Sequence, residues 1–334
     1  MGTLALYGSK FECETSQIRV EPPLIVCMKT FPSLDFKQVT EFRFWLVAIA
    51  AGLAAIHLTL VWRADNVDLL GSSILFFASL ASLLGDRQHT LRFDSSILAS
   101  LMGAMLIAFV LLRSLATPGE AFLLLAPLTA GLGLALLASG FRGLGQYRQE
   151  LLLLFCLGAP KAFIPPLFDP TLWTAKFSTA LLWYSGFEVV RDGVNIHLPT
   201  GSVEVYPGCS GIEGITYLLS LAGLFVVMFP LNWLRRGLAV VLAVWIAFAV
   251  NGVRVSLMAY LVASSQPEAF EYWHEGTGSL IFSMIAVLIF GGVCWLLLRW
   301  QEAAERWAAL AEVSDDPTEA EMLLEEPLEE PLEW

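Results

Sequence analysis

Long apolar runs separated by short polar breaks cover most of the chain, over about 44–62, 69–84, 95–112, 121–138, 151–164, 213–229, 238–262 and 279–298. Several approach the ~20 residues that a helix needs to cross ~30 Å of hydrocarbon, so the pattern predicts about eight transmembrane helices. The second and fifth runs are short, and their ends are the least certain. Trp45 and Trp62 bracket the first run, and Trp233, Trp273 and Trp300 stand at later boundaries, as residues of an interfacial belt do. A water-soluble protein would have no dry place for so many charge-free runs. The expected fold is therefore an all-α polytopic membrane protein. It divides into an N-terminal segment (1–43), a transmembrane domain (44–298) and a tail (299–334).

Lysine and arginine give the runs a direction. With residues 1–43 in the cytoplasm, thirteen of the nineteen Lys and Arg fall in inside segments and four in outside loops. The other two, Lys161 and Arg254, lie within apolar runs. The excess favours both termini inside a plasma (inner) membrane. Lys161 is then close enough to the outer face to snorkel toward it. No stretch in the first forty residues has the make-up of a signal peptide, since Pro22 to Met28 is too short and too interrupted.

In this orientation residues 165–212 form the one long outside loop. Pro165-Pro166 ends the fifth helix. Thr171 to Gly186 reads as an amphipathic helix lying on the membrane surface. Three short alternating runs follow, FEVV, VNIHL and SVEVY, separated by Asp192-Gly193 and Pro199-Thr200-Gly201. Those are hairpin signals, so a small extracytoplasmic β-meander is expected to lead into Tyr206-Pro207-Gly208-Cys209-Ser210-Gly211 and the sixth span.

Composition changes this picture little. Charged residues make up 15% of the 334 and hydrophobic residues 57%, against roughly 25% charged in soluble domains. The net charge of −12 is concentrated at one end: Glu312 to Trp334 holds ten acids and no Lys or Arg, including a repeated LEEP, and reads as a disordered cytoplasmic tail. No basic patch with interleaved aromatics points to nucleic acid. The five cysteines (13, 27, 156, 209, 294) form no CxxC and the four histidines no HExxH, so neither a disulfide framework, a metal site nor a cofactor is expected. Cys156 and Cys294 sit inside apolar runs as small core residues.

Three reactive residues end up at one depth. Cys209 opens the sixth helix at its outer end, where the backbone N–H groups and helix dipole favour a thiolate. The N–H groups of Ser210 and Gly211 offer an oxyanion hole. Arg254 lies about two turns short of the outer exit of the seventh helix, three residues after Asn251 and on the same face. An arginine within an apolar run costs at least ~2.5–3.5 kcal/mol at mid-membrane, so it ordinarily faces a polar interior site. His274 follows in the next outer loop. Together they compose an acyl-transfer machine: Cys209 attacks a peptide carbonyl, Arg254 stabilises the thiolate or the oxyanion, and His274 handles the protons. Glu213 and Glu275 are possible orienters of His274, and Ser210 is a rival nucleophile one residue on.

The runs EVYPGCSGIEGI (204–215), NGVRVSL (251–257) and HEGTGSLIF (274–282) resemble the exosortase/archaeosortase family, in its cyanobacterial branch. The resemblance is best over about 150–298. It implies a membrane cysteine protease or transpeptidase with catalytic Cys209, Arg254 and His274. It also implies substrates of the PEP-CTERM type: exported proteins ending in a short Pro-Glu-Pro-type motif, a membrane helix and a basic cluster. The new C-terminus would pass to a surface acceptor. Glu275 departs from the Asp that many members carry after the histidine.

The main rival is a transporter or channel with a structural cysteine and a substrate-binding intramembrane Arg254. A thiol–disulfide oxidoreductase would need a second outer cysteine, and a structural assembly factor would tolerate loss of all three residues.

Overall fold

The computed structural model describes residues 42–117, 119–274, 276 and 278–313. All that follows concerns the unit beginning at Trp45, since the unit before it is described only from residue 42. Residues 1–41 of the predicted N-terminal segment and residues 314–334 of the predicted tail therefore lie outside the described residues.

The chain runs as α1 (Phe42–Arg63), α2 (Val67–Arg87), α3 (Ile97–Ser114), α4 (Glu120–Gly143), α5 (Arg148–Phe163) and α6 (Thr171–Tyr184). Three strands follow, β1 (Val190–Asp192), β2 (Asn195–Leu198) and β3 (Gly201–Glu204), and then α7 (Ile212–Met228), α8 (Trp233–Ala263), α9 (Pro267–His274) and α10 (Gly278–Val313). Six helical stretches are long and apolar enough to cross a membrane, which makes this an integral multi-pass membrane protein. One of the six, Glu120–Phe163, holds both α4 and α5. Gly140 breaks its helical path with φ +64°, and a 3₁₀ turn at Leu144–Tyr147 completes the reversal. The 17-residue α7 is apolar but shorter than these six. The helix α10 continues fifteen residues past the expected end of its apolar run at 298, into the stretch expected to be irregular.

Lipid tails are as apolar as leucine, so burial alone does not pull such helices together; close van der Waals contact between small residues does. A Cβ on Gly158 of α5 would lie 1.8 Å from the Leu124 carbonyl oxygen of α4. One on Gly103 of α3 would lie 2.5 Å from the Gly133 carbonyl oxygen of α4. On α8, Ala239, Ala243 and Ala247 recur every four residues, all buried, in seams with α7 and α10.

Polar groups pin the two ends of the bundle. At one end Arg87 of α2 pairs with the buried Glu150 of α5 at 3.0 Å and donates to the Gln146 carbonyl at 2.9 Å. At the other, Lys161 of α5 lies with its ammonium 5.3 Å from the Tyr217 ring centre of α7, within the attraction of Asp68, Glu213 and Glu120. Those acids open α2, α7 and α4 respectively, so Lys161 faces protein groups at that end rather than extending alone toward lipid headgroups.

The β-meander forms as its turn signals require. β1-β2-β3 is an antiparallel sheet with Ile196 opposite Val203 and Leu198 opposite Gly201. Gly193 supplies φ +59° in the first hairpin, and Pro199-Thr200 makes the second. The helix expected on the membrane surface forms as α6, but its packing reverses the simple picture. Thr171, Thr174, Ala175, Ser178 and Leu182 are buried against the domain, while Trp173 and Trp183 remain exposed. Hydroxyls on the inner face bind main-chain carbonyls of the neighbouring elements, which is why a small polar stripe goes inward. Asp169 accepts from the N–H and the hydroxyl of Thr171 at the start of α6, and these bonds hold its carboxyl below the ordinary value.

The α4–α5 contact gives a direct test. Gly158→Ala forces a methyl onto the Leu124 carbonyl and is expected to cost at least about 1–3 kcal/mol. Gly237→Ala, where nothing lies within 4 Å, should instead be neutral or stabilising by up to about 1 kcal/mol. Equal thermal midpoints for the two variants in detergent would show that the close approach contributes nothing.

Candidate active site

The sequence around Cys209 builds a short, closely held loop. Pro207 starts a 3₁₀ turn over Pro207–Cys209, with φ already fixed for it. Cys209 N–H donates to the Tyr206 carbonyl at 2.9 Å, and Ser210 N–H to the Pro207 carbonyl at 3.2 Å. Gly211 then turns the chain into α7 with φ +87°, in the left-handed region open to glycine. The helix proper begins at Ile212, so Cys209 stands one short turn ahead of the helix start rather than on it. The cysteine side chain is half-buried.

Neighbouring helices grip this loop by its carbonyls. Asn251 of α8 donates to the Cys209 carbonyl at 2.9 Å, and Thr174 of α6 donates to the Ser210 carbonyl at 2.7 Å. The first contact exists because Gly211 has no side chain: a Cβ there would lie 2.6 Å from Asn251 Nδ2. Ser178 of α6 donates to the Gly252 carbonyl of α8 at 2.9 Å, and Ser256 reaches the Ser178 carbonyl at 3.3 Å, so α6 and α8 move as one support. Ser210 is fully buried and its hydroxyl donates to the Pro207 carbonyl at 2.6 Å. That leaves it a structural role in the turn.

His274 is the last residue of α9. Its Nε2 lies 3.4 Å from Cys209 Sγ and 3.4 Å from the Tyr206 hydroxyl. Its ring stacks on Phe270, one turn earlier in α9, at 5.0 Å between centres and 17° between planes. Arg254 Nη2 donates to the His274 carbonyl at 2.8 Å, placing a cation at the C-terminus of α9, where the last carbonyls lack helical partners. Its Nε is buried and has no acceptor among the described residues.

Cys209, His274, Arg254 and Asn251 thus meet at one end of the bundle, the end of Lys161 and Glu213. The contacts are not those of a simple triad. Sulfur meets imidazole directly, whereas Arg254 touches the main chain of His274 and Asn251 the main chain of Cys209. Glu213 is exposed on α7, and Glu275 lies outside the described residues. Beside the sulfur opens a cavity of about 240 Å³. One wall is Ser202–Tyr206, another is Val255, Met258 and Val262 of α8, and Phe270 and His274 close it.

Tyr206, Phe270 and Thr174 were not singled out from the sequence. Phe270 had a usable signal in its four-residue spacing from His274, and Tyr206 in its place ahead of Pro-Gly-Cys. Thr174 had none, since only the folded position of α6 brings it to the loop.

Residues 62–291 match the family described as transmembrane exosortase (EpsH), a stretch that includes every residue of the site. The chain belongs to the transmembrane exosortase family. It is also 33% identical over 97 residues to the probable archaeosortase E of Methanocaldococcus jannaschii. That similarity covers 29% of this chain and 50% of the relative, so the chain spans about half the length of the curated relative it matches. No solved structure matches the chain.

The loop contacts make a prediction. Asn251→Ala leaves the Cys209 carbonyl without its donor and should cost about 0.5–1.5 kcal/mol of stability. It should also speed alkylation of the Cys209 thiol several-fold as the loop loosens. A variant with both the melting point and the alkylation rate of the parent would show the contact to be dispensable.

Proposed function

We propose that this exosortase-family chain is a membrane-embedded cysteine peptidase or transpeptidase acting on C-terminal sorting signals of exported proteins, with Cys209 as nucleophile. The observation that carries this reading is the 3.4 Å approach of His274 Nε2 to Cys209 Sγ. An imidazole at that distance takes the thiol proton and leaves a thiolate–imidazolium pair. The thiolate attacks the scissile carbonyl, and the tetrahedral intermediate collapses as His274 returns the proton to the leaving amine. The product is a thioester on Cys209, which an acceptor nucleophile, deprotonated by His274, then resolves.

Two donors remain for the developing oxyanion. Ser210 N–H is engaged by the Pro207 carbonyl, so Gly211 N–H is the better of the two backbone candidates. The Nε–H of Arg254, which has no acceptor among the described residues, is the other. Its bond to the His274 carbonyl also supports positioning of the imidazole.

On this reading all eight long apolar helices cross the membrane. Gly140 and the following 3₁₀ turn divide the 44-residue stretch Glu120–Phe163 into two crossings. The remaining one, α7, spans about 26 Å, close to the hydrocarbon thickness. The excess of inside Lys and Arg then supports cytoplasmic termini, a plasma-membrane location and a site on the outer face. The three motif runs support the cyanobacterial branch of the family and substrates of the PEP-CTERM type, tailed by motif, apolar helix and basic cluster.

Reconstituted enzyme given such a tripartite-tailed substrate should release the tail and accumulate a hydroxylamine-sensitive adduct on Cys209. Cys209→Ala should lose at least about a thousandfold in rate while keeping its melting point, as loss of a nucleophile does. Processing by Cys209→Ala at the parent rate would sink the assignment. In intact cells a membrane-impermeant maleimide should label the parent and not Cys209→Ala; equal labelling would overturn the orientation.

A further inference from the structure

The cavity beside Cys209 has an unusual wall. A strand shows alternate residues on each face, so a cavity lying against a face is lined by every second residue. Here five consecutive residues, Ser202 to Tyr206, line it, as happens when a cavity lies along the edge of a strand. β3 is an edge strand, paired only with β2 among the described strands.

The register tells which groups face that edge. Val205 N–H donates to the Val194 carbonyl at 3.1 Å, and Val203 lies opposite Ile196. Main-chain groups alternate sides along an antiparallel strand, so Gly201, Val203 and Val205 turn theirs to β2. Ser202 and Glu204 turn their N–H and C=O the other way, and among the described residues these four groups have no hydrogen-bond partner. Open edges of this kind recruit a further strand. This one runs straight into the nucleophile loop, four residues separating Glu204 from Cys209.

We propose that the open edge of β3 is the substrate-binding strand: the polypeptide on the N-terminal side of the cleaved bond docks there, extended, as a fourth strand. The proposal rests on the reading of Cys209 as nucleophile. The occupant follows from three features. The edge provides a donor and an acceptor at Ser202 and again at Glu204, the two-residue repeat of an extended backbone and not of a helix. Val255, Met258 and Val262 of α8 form an apolar floor beside it, so every second docked side chain meets an apolar surface and those between face outward. Cys209 and His274 line the same cavity, which puts the last docked residue at the sulfur. The acyl part of the substrate, outside the bilayer, thus takes the sheet, and its membrane helix departs toward lipid. Affinity on this scheme comes largely from the peptide backbone, and selectivity from alternate side chains.

The test uses full-length enzyme in lipid nanodiscs and a synthetic peptide bearing a Pro-Glu-Pro motif, an apolar span and a basic cluster. Single N-methyl groups are placed on successive non-proline amides N-terminal to the cleaved bond. Methylation at alternate residues should raise KM about three- to tenfold, the loss of one hydrogen bond each, with little change at the residues between. Ser202→Pro, which removes an edge N–H without touching the ladder to β2, should raise KM similarly while kcat stays within about threefold. If the parent enzyme cleaves the peptide but the methyl scan shows no two-residue alternation, the docking proposal is wrong and the peptidase reading stands. If the parent neither cleaves the peptide nor forms an adduct on Cys209, both fall. The peptide scan leaves the protein unaltered, so it decides the matter even where Ser202→Pro misfolds.

Discussion

Two side chains one turn apart on α8 hold the candidate site together. Asn251 binds the carbonyl of Cys209 and Arg254 binds the carbonyl of His274, at 2.9 and 2.8 Å. The nucleophile loop and α9 come from different parts of the chain, and these two bonds tie both to one rigid element. A helix fixes the spacing of its own side chains to a fraction of an ångström, so the sulfur–imidazole distance inherits that precision. Hydrogen bonds to main-chain carbonyls also tolerate no change of partner that a side-chain contact would allow, because the carbonyl stays wherever the backbone is.

That support depends in turn on how the membrane helices approach one another. Gly252 lets Phe177 lie against α8, where a Cβ would be 2.2 Å from the ring, and the hydroxyls of Ser178 and Ser256 exploit the closeness. In lipid there is no water to accept from such hydroxyls, so each goes to a carbonyl within reach. The same logic explains the inward polar stripe of α6. Arg254, the one cation within the apolar run 238–262 of α8, likewise turns to a helix end rather than to lipid.

Much of this was legible in the sequence, for identifiable reasons. Helices in lipid must be apolar over a fixed length, and seven of the eight apolar runs correspond closely to helices; the eighth continues beyond its run. The two hairpins followed from Gly193 and from Pro199-Thr200. Cys209, Arg254 and His274 came together because alternation of crossings sends their segments to one end. What the sequence did not carry was contact. Arg254 meets a backbone oxygen, Ser210 is consumed by its own turn, and Cys209 precedes the helix start instead of occupying it. These depend on side-chain direction and on a left-handed Gly211, which periodicity does not encode. The extension of α10 past 298 was hidden because charged and apolar residues there, as in Glu302-Ala303-Ala304-Glu305-Arg306, are good helix formers without being lipid-soluble.

That extension sets a distance. Fifteen helical residues beyond 298 carry α10 roughly 22 Å past its apolar run at 1.5 Å each. The far end of α10 therefore stands more than two Debye lengths (about 8 Å each at physiological salt) from the end of that run. Charges at the two ends of that extension are largely screened from one another. The extension works as a rigid spacer between the two.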